Sequence, residues 1–281
     1  EWCDRPRHAE HSRETFDAVM DLSQKLADEQ FAPYNRLVDV QEPEFDGERV
    51  HLPVETANAM NAFRDSGLMA AAMDAEVGGM QLPTVVDMAS RSYFCKASIG
   101  MSGYLMLNRG NANTILSHGT PKQIEVFAKP AFEGRTFGTM CLSEPQAGSS
   151  LSDIATKAVP DVTGSDHGLP AWQEDPLGPR FRLTGNKMWI SGGEHEMGEN
   201  IVHLVLAKIP DETGKTIAGV KGISLFIVPR KLVDADGVIS DVRNDVSLAG
   251  LNHKCGFRGT VNTLLNFGEG RFKVRGQAGA V

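Results

Sequence analysis

Glycine is distributed unevenly along this chain. Of its 29 glycines, 9 precede Gly138 and 20 lie from Gly138 onward, although the two parts are nearly equal in length. A glycine inside a helix costs about 1 kcal/mol relative to alanine, while turns between strands use it freely. The asymmetry predicts helices first and strands second, as an all-α domain over 1–137 and a β domain over 138–281.

Local signals in the first part agree. Ser12 is an N-cap before Phe16, Val19, Met20 and Leu26, which recur at helical spacing. Pro53 opens a second helix carrying Ala57, Met60 and Phe63, with Gly67 as its stop. Pro83 precedes a third, with Val85, Val86, Ala89 and Phe94. Thr120-Pro121-Lys122-Gln123 reads as a capping box, and its helix would bury Ile124, Phe127 and Ala131 before ending ahead of Gly134. Pro130 falls inside that pattern and predicts a kink or a shortened helix.

From Gly138 the period changes. Residues 201–207, 222–228 and 260–267 are short runs of β-branched and apolar residues, separated by Gly-, Asp- and Pro-rich pieces at 161–179, 210–219 and 234–245. No such run is followed by a long amphipathic helix, which argues against a parallel βαβ sheet. The expected class is α+β, with an all-α domain followed by an antiparallel β-barrel.

Charge and cysteine content narrow the function classes. The formal net charge is −8, from 28 Lys+Arg against 36 Asp+Glu, and no basic block exists, so a nucleic-acid partner is not expected. No apolar run approaches the roughly 20 residues of a membrane helix, so no membrane partner is expected either. Cys3, Cys95, Cys141 and Cys255 are scattered without a C-x-x-C pair, which argues against zinc or disulfides. A reducing compartment follows: cytoplasmic, or the mitochondrial matrix in a eukaryote. The chain opens Glu1-Trp2-Cys3 without an initiator Met or a signal-like segment, and reads as part of a longer polypeptide.

Common catalytic motifs are missing. There is no G-x-x-x-x-G-K-[ST] loop and no G-x-S-x-G elbow. Gly268-Glu269-Gly270 begins like a dinucleotide fingerprint, but Lys273 stands where the third glycine belongs. His195, between Glu194 and Glu196, has no second histidine at ligand spacing and reads as a solvated polar turn. His203 lies mid-strand and reads as a satisfied core histidine.

Two stretches stand apart. They are Met140-Cys141-Leu142-Ser143-Glu144-Pro145-Gln146-Ala147-Gly148-Ser149-Ser150 and Gly185-Asn186-Lys187-Met188-Trp189-Ile190-Ser191-Gly192-Gly193. The first is a strand end entering a loop of small residues, whose amides and hydroxyls can hold a phosphate. The second places an indole beside a hydroxyl, so that one covers a large ring system and the other donates to its polar edge. A nucleotide-like or flavin-like ligand satisfies both. A plain turn and a core tryptophan satisfy the same residues, and the pattern alone leaves both readings open.

With these two stretches the sequence resembles the acyl-CoA dehydrogenase family, whose middle domain carries a T/S-E-P-x-A-G-S-D loop and a K-x-W-I-T/S-N/G-G strand. The likeness extends to Thr156-Lys157-Ala158, to 181–185 and 222–229, and upstream to His118-Gly119-Thr120-Pro121-Lys122-Gln123. The long pieces around 161–179 and 200–245 are similar to a longer-chain branch that includes enzymes acting on 3-methylthiopropanoyl-CoA. The family's aspartate after Gly-Ser is Ser150 here, which puts that carboxylate's role in doubt.

The resemblance implies FAD as cofactor, an acyl-CoA substrate, an electron-transferring flavoprotein as acceptor, and a homodimer or homotetramer in the full-length protein. It implies α,β-dehydrogenation of the thioester with hydride passing to flavin N5. Residues implied at the cofactor are Met140, Cys141, Leu142, Ser143, Ser149, Trp189, Ile190 and Ser191. Leu142 would offer backbone contacts, Ser143 a hydroxyl near the pyrimidine edge, and Trp189 its ring face. Ser191 would offer a hydroxyl near N5 and O4, and Ser149 would approach both the pyrophosphate and the substrate's pantetheine. The family's C-terminal helical bundle, which usually supplies the catalytic glutamate, is absent from these residues. No base is therefore assigned, and residues 1–281 alone are expected to be inactive. Glu144, before a proline at a turn, is expected to cap local backbone groups. An acyl-CoA oxidase shares these motifs, and a non-catalytic flavin- or acyl-CoA-binding protein is the alternative outside enzymes.

Overall fold

The computed structural model describes residues 2–163 and 170–281, so part of the 161–179 piece lies outside the described residues. Helix α1 (Arg13–Leu26) starts at Ser12 through a reciprocal cap with Thr15. After it come α2 (Asn35–Val40) and a two-residue hairpin, β1 (Glu44–Phe45) with β2 (Val50–His51). The first part is thus helical but not all-α. Helix α3 (Val54–Asp65) follows Pro53 and ends ahead of Gly67, whose φ of +77° is the left-handed stop the sequence predicts.

Helix α4 (Thr84–Ala97) presents a different face from the expected one. Its buried residues are Asp87, Ser90 and Phe94, while Val85 is exposed. Ser90 meets Ser23 of α1 at 2.6 Å, and Arg91 and Arg109 pair with Asp87, so polar contacts tie this layer together.

Helix α5 (Ile99–His118) is the centre of the molecule and has no counterpart among the sequence expectations. It carries Gly100, Met101, Ser102, Gly103, Tyr104, Leu105, Asn108, Asn111, Ala112 and Ile115 as buried residues. A helix covered on most sides has little amphipathic period to read. The segment after it begins with the expected Thr120 capping box at α6 (Pro121–Gln123), passes through a π-helical stretch over 124–128, and ends as α7 (Lys129–Phe132). Pro130 sits in the first turn of α7, where its missing N–H is tolerated.

The strands are β3 (Thr136–Cys141), β4 (Lys157–Pro160), β5 (Phe181–Ser191), β6 (Asn200–Lys208), β7 (Ile223–Pro229), β8 (Lys231–Val233), β9 (Ile239–Arg243), β10 (Val246–Leu251) and β11 (Asn262–Phe267). Seven form one sheet in the order β10-β11-β5-β4-β6-β3, with β7 also on β6; β8 and β9 pair separately. The expected antiparallel barrel is corrected by this order. β3 runs parallel to β6 over six residue pairs, from Thr136 beside Asn200 to Cys141 beside Val205, and the sheet is a curled, mixed half-barrel. The reason lies in the connection. Between β3 and β6 the chain passes through a long loop, β4 and β5, and returns to lie beside β3 in the same direction, with no crossover α-helix among the described residues.

Helix α5 is seated directly on this parallel pair. Asn111 donates through Nδ2 to the carbonyls of Thr139 (3.0 Å) and Val202 (2.9 Å), one on each strand. Gly138 makes the approach possible, because a Cβ there would lie 2.3 Å from Cγ of Asn111. Tyr104 adds a second anchor, accepting the Val261 N–H and donating to the Gly259 carbonyl. One buried apolar cluster runs from Phe31, Phe63 and Phe94 through Phe137 to Leu248 and Phe267, so helices and sheet share a core.

Candidate flavin site

The loop after β3 is organised around a buried carboxylate. Glu144 and Ala147 exchange both backbone hydrogen bonds, closing a tight turn over Pro145-Gln146. The Glu144 side chain accepts from Ala155 N–H (2.6 Å), Thr156 N–H (3.0 Å), the Thr156 hydroxyl (2.6 Å), Gln146 Nε2 (2.7 Å) and Lys187 Nζ (2.9 Å). Burial alone would raise this carboxyl. The Ala155 N–H, the Thr156 hydroxyl and the Lys187 ammonium outweigh it and hold the group below the ordinary carboxylate range. Glu144 therefore caps backbone, as its place before Pro145 suggests. Beyond the turn, Gly148, Ser149 and Ser150 are exposed.

The facing wall is β5, and it carries a bulge. Ile190 pairs with Thr263 and Lys187 with Leu265, so Met188 and Trp189 together lie opposite Leu264. Strand side chains alternate between faces, and an extra residue reverses the alternation beyond it. Lys187 points in, Trp189 is turned out at 58% exposure, and Ile190 points in again. Trp189 achieves this with φ at +65°, the left-handed region that a bulky residue rarely adopts. A strand tryptophan normally belongs to a core; this one does not.

Loop and bulge are held together. Met188 N–H donates to the Ser143 carbonyl at 3.0 Å, and Lys187 Nζ donates to the Leu142 carbonyl at 3.1 Å as well as to Glu144. Leu142, Ser143 and Ser191 are half-buried, as is Met140. Cys141 and Ile190 are buried, so their side chains are not offered to a ligand, and burial pushes the Cys141 thiol up to about 12. The expected residues thus divide. Trp189 and Ser149 present side chains, Leu142, Ser143, Ser191 and Met140 do so partly, and Cys141 and Ile190 support from behind. Lys187 and Thr156 fall inside the matched stretches, but the sequence alone assigned neither of them a role.

Two histidines differ in part from expectation. His195 is not on a solvated turn. It is buried edge-on against Tyr104 and Phe137, because the neighbouring Glu194 is drawn inside by Arg230 and Arg243. His203 is a core residue sharing a 2.8 Å hydrogen bond between Nδ1 and Thr139, but its Nε2 has no partner among the described residues. Burial first, and the Arg230 charge second, lower both to about 3. Among the described residues no group of three or more His, Cys, Asp or Glu is placed to hold a metal ion. A cavity of about 480 Å³ lies elsewhere, between Ile115, Phe127, Leu204 and Phe226, with none of the loop or bulge residues in its wall.

Comparison with known proteins decides the family. Residues 13–135 match the profile described as acyl-CoA dehydrogenase, N-terminal domain. The chain is 32% identical over 250 residues to 3-methylmercaptopropionyl-CoA dehydrogenase of Ruegeria pomeroyi, covering 89% of this chain and 39% of that protein. It is also 32% identical over 257 residues to a butyryl-CoA dehydrogenase of Syntrophomonas wolfei, covering 90% and 39%. The chain belongs to the acyl-CoA dehydrogenase family.

Solved structures of the acyl-CoA dehydrogenase family agree on the fold. Butyryl-CoA dehydrogenase from Megasphaera elsdenii superposes with a TM-score of 0.65 at 18% identity, covering 96% of this chain and 59% of that one. An acyl-CoA dehydrogenase complexed with FAD from Bacillus anthracis superposes with a TM-score of 0.65 at 19% identity, covering 92% and 36%. The chain spans about two fifths of the length of the curated relatives named above. Among the described residues no helix is long and apolar enough to cross a membrane.

Proposed function

We propose that this chain is the helical and sheet portion of an FAD-dependent acyl-CoA dehydrogenase, with a helical domain over 1–137 and a flavin- and acyl-CoA-binding domain over 138–281. The observation that carries the reading is Trp189, an indole turned outward by a bulge, in a strained backbone conformation, next to the Met188 and Lys187 contacts that hold the serine-bearing loop. Strain of this kind persists where the surrounding structure imposes it for a purpose, and an exposed ring face calls for a planar partner. FAD, when bound, supplies the two-electron redox chemistry that removes hydrogen from the acyl-CoA.

The chain's own residues bind, orient and shield. Trp189 covers one face of the ring system and excludes water from it. Ser143 and Ser191 are the hydroxyls for its polar edge, with Leu142 offering backbone contact, and Met140, Cys141 and Ile190 back the wall. Ser149, beside the open Gly148, serves the pyrophosphate and the pantetheine arm of the substrate. Glu144 is not a proton acceptor for the substrate, because its oxygens are already committed to five donors. The base lies outside these residues. An electron-transferring flavoprotein as acceptor, assembly into a homodimer or homotetramer, and a cytoplasmic or mitochondrial-matrix location complete the reading.

The test uses the natural full-length polypeptide that carries this sequence. It should retain FAD through gel filtration, and acyl-CoA added without oxygen should bleach the flavin's visible absorbance. A full-length protein that binds no FAD would sink the proposal.

A further inference from the structure

We infer that Glu144 and Lys187 form a positioning pair that sets the serine-bearing loop and the Trp189 bulge at a fixed spacing. This rests on the flavin reading above and adds residues to it that the reading does not use. Three consecutive loop residues are tied to two consecutive strand residues. Leu142 and Glu144 both accept from Lys187 Nζ, and Ser143 between them accepts from Met188 N–H. Lys187 immediately precedes the bulged pair Met188-Trp189, so the anchor and the strained residue are two positions apart.

The same carboxylate closes the other end of the loop through the Ala155 N–H, the Thr156 N–H and the Thr156 hydroxyl. Ser143 and Ser149 therefore take their places from one buried group. Lys187 is fully buried and Glu144 nearly so, at 0% and 4% exposure. A buried ion pair is weak evidence of stability, because desolvation offsets the attraction and apolar side chains of similar volume often do as well. What apolar replacements cannot do is bond a carbonyl and a carboxylate at once. The pair's distinctive contribution is geometry, and ligand sites lose function when their supporting shell is loose.

The experiment uses the full-length polypeptide, FAD as probe, and the variants Lys187→Met and Thr156→Val. Three quantities are read: the Kd for FAD, the visible circular dichroism of the bound flavin, and the urea midpoint of the apoprotein. Lys187→Met should raise the Kd about tenfold or more, the scale typical of lost outer-shell support, and shift the flavin bands. The apoprotein midpoint should fall too, because removing one partner of a buried pair leaves the Glu144 charge uncompensated, so the band shift in the folded variant is what separates positioning from stability. Thr156→Val should act in the same direction by a smaller factor, and it decides alone should Lys187→Met not fold. A Kd within about twofold of wild type with unchanged bands overturns the inference. So does a loss of affinity that follows a loss of apoprotein stability while the flavin bands stay unchanged. Failure of the unaltered protein to bind FAD is a separate result, which overturns the flavin reading and this inference with it.

Discussion

Trp189 combines two features that a folding chain ordinarily avoids, a left-handed backbone and an exposed indole. The conformation costs an L-residue about 1–2 kcal/mol, and glycine in its place would give back about 0.5–1 kcal/mol through chain entropy. Trp189→Gly is therefore expected to leave the apoprotein as stable as wild type or slightly more so, by urea midpoint. FAD retention should fall at the same time, read as the ratio of flavin to protein absorbance after gel filtration. A variant that keeps its full flavin ratio would show that the indole does not face the cofactor. The residue types of this site were legible in the sequence, because a tryptophan next to hydroxyl residues suits a ring system. Its geometry was not. A bulge leaves no mark on the alternation of 185–193 alone, since the partner strand defines it. For the same reason the motif around Lys187 gave no sign that this lysine is buried as an internal anchor.

Helix α5 and its seat on β3 and β6 show what was harder to read among the elements. Capped helices such as α1 and the segment starting at α6 announced themselves through Ser12 and Thr120, and β6, β7 and β11 through their apolar runs. Burial on most sides hid α5, and the parallel pairing of β3 with β6 depends on a return path of nearly sixty residues that no local pattern encodes. The contact between Asn111 and Gly138 joins these two unread features. Gly138→Ala would place a methyl 2.3 Å from Asn111 Cγ, and overpacking of this kind costs about 1–3 kcal/mol. Asn111→Ala should cost a similar amount, about 1–3 kcal/mol, by leaving the Thr139 and Val202 carbonyls short of a donor. Because alanine at 111 removes the Cγ and Oδ1 contacts but keeps its own Cβ 2.4 Å from the added methyl, the double variant should lose somewhat less than the sum of the two singles while remaining overpacked. Strict additivity in urea midpoints would mean that helix and sheet are not coupled at this point.

The shared apolar cluster makes helices and sheet parts of one core, so groups buried within that core bear on the stability of the whole molecule. His195 and His203 lie there beside Arg230, and their pKa values are lowered from 6.5 to about 3, by burial first and the arginine charge next. The sign follows from proton counts. Below pH 6.5 the unfolded chain takes up protons at both histidines, while the folded chain resists until about pH 3. Their contribution is therefore fully present above pH 6.5 and is lost as the pH falls from there toward 3. Each histidine adds a slope of up to about 1.4 kcal/mol per pH unit within that window. Glu144 and Asp161, held below their ordinary values of 4.5 and 3.8, add their own loss only in more acidic solution. The interval from about pH 6.5 to 4.5 thus isolates the histidines. Urea midpoints of the full-length protein should be level above this interval and decline through it. His203→Gln, which keeps a neutral polar group beside Thr139, should shed about half of that decline. A midpoint that stays level down to about pH 5 would mean that the two imidazoles accept protons as readily in the folded molecule as outside it.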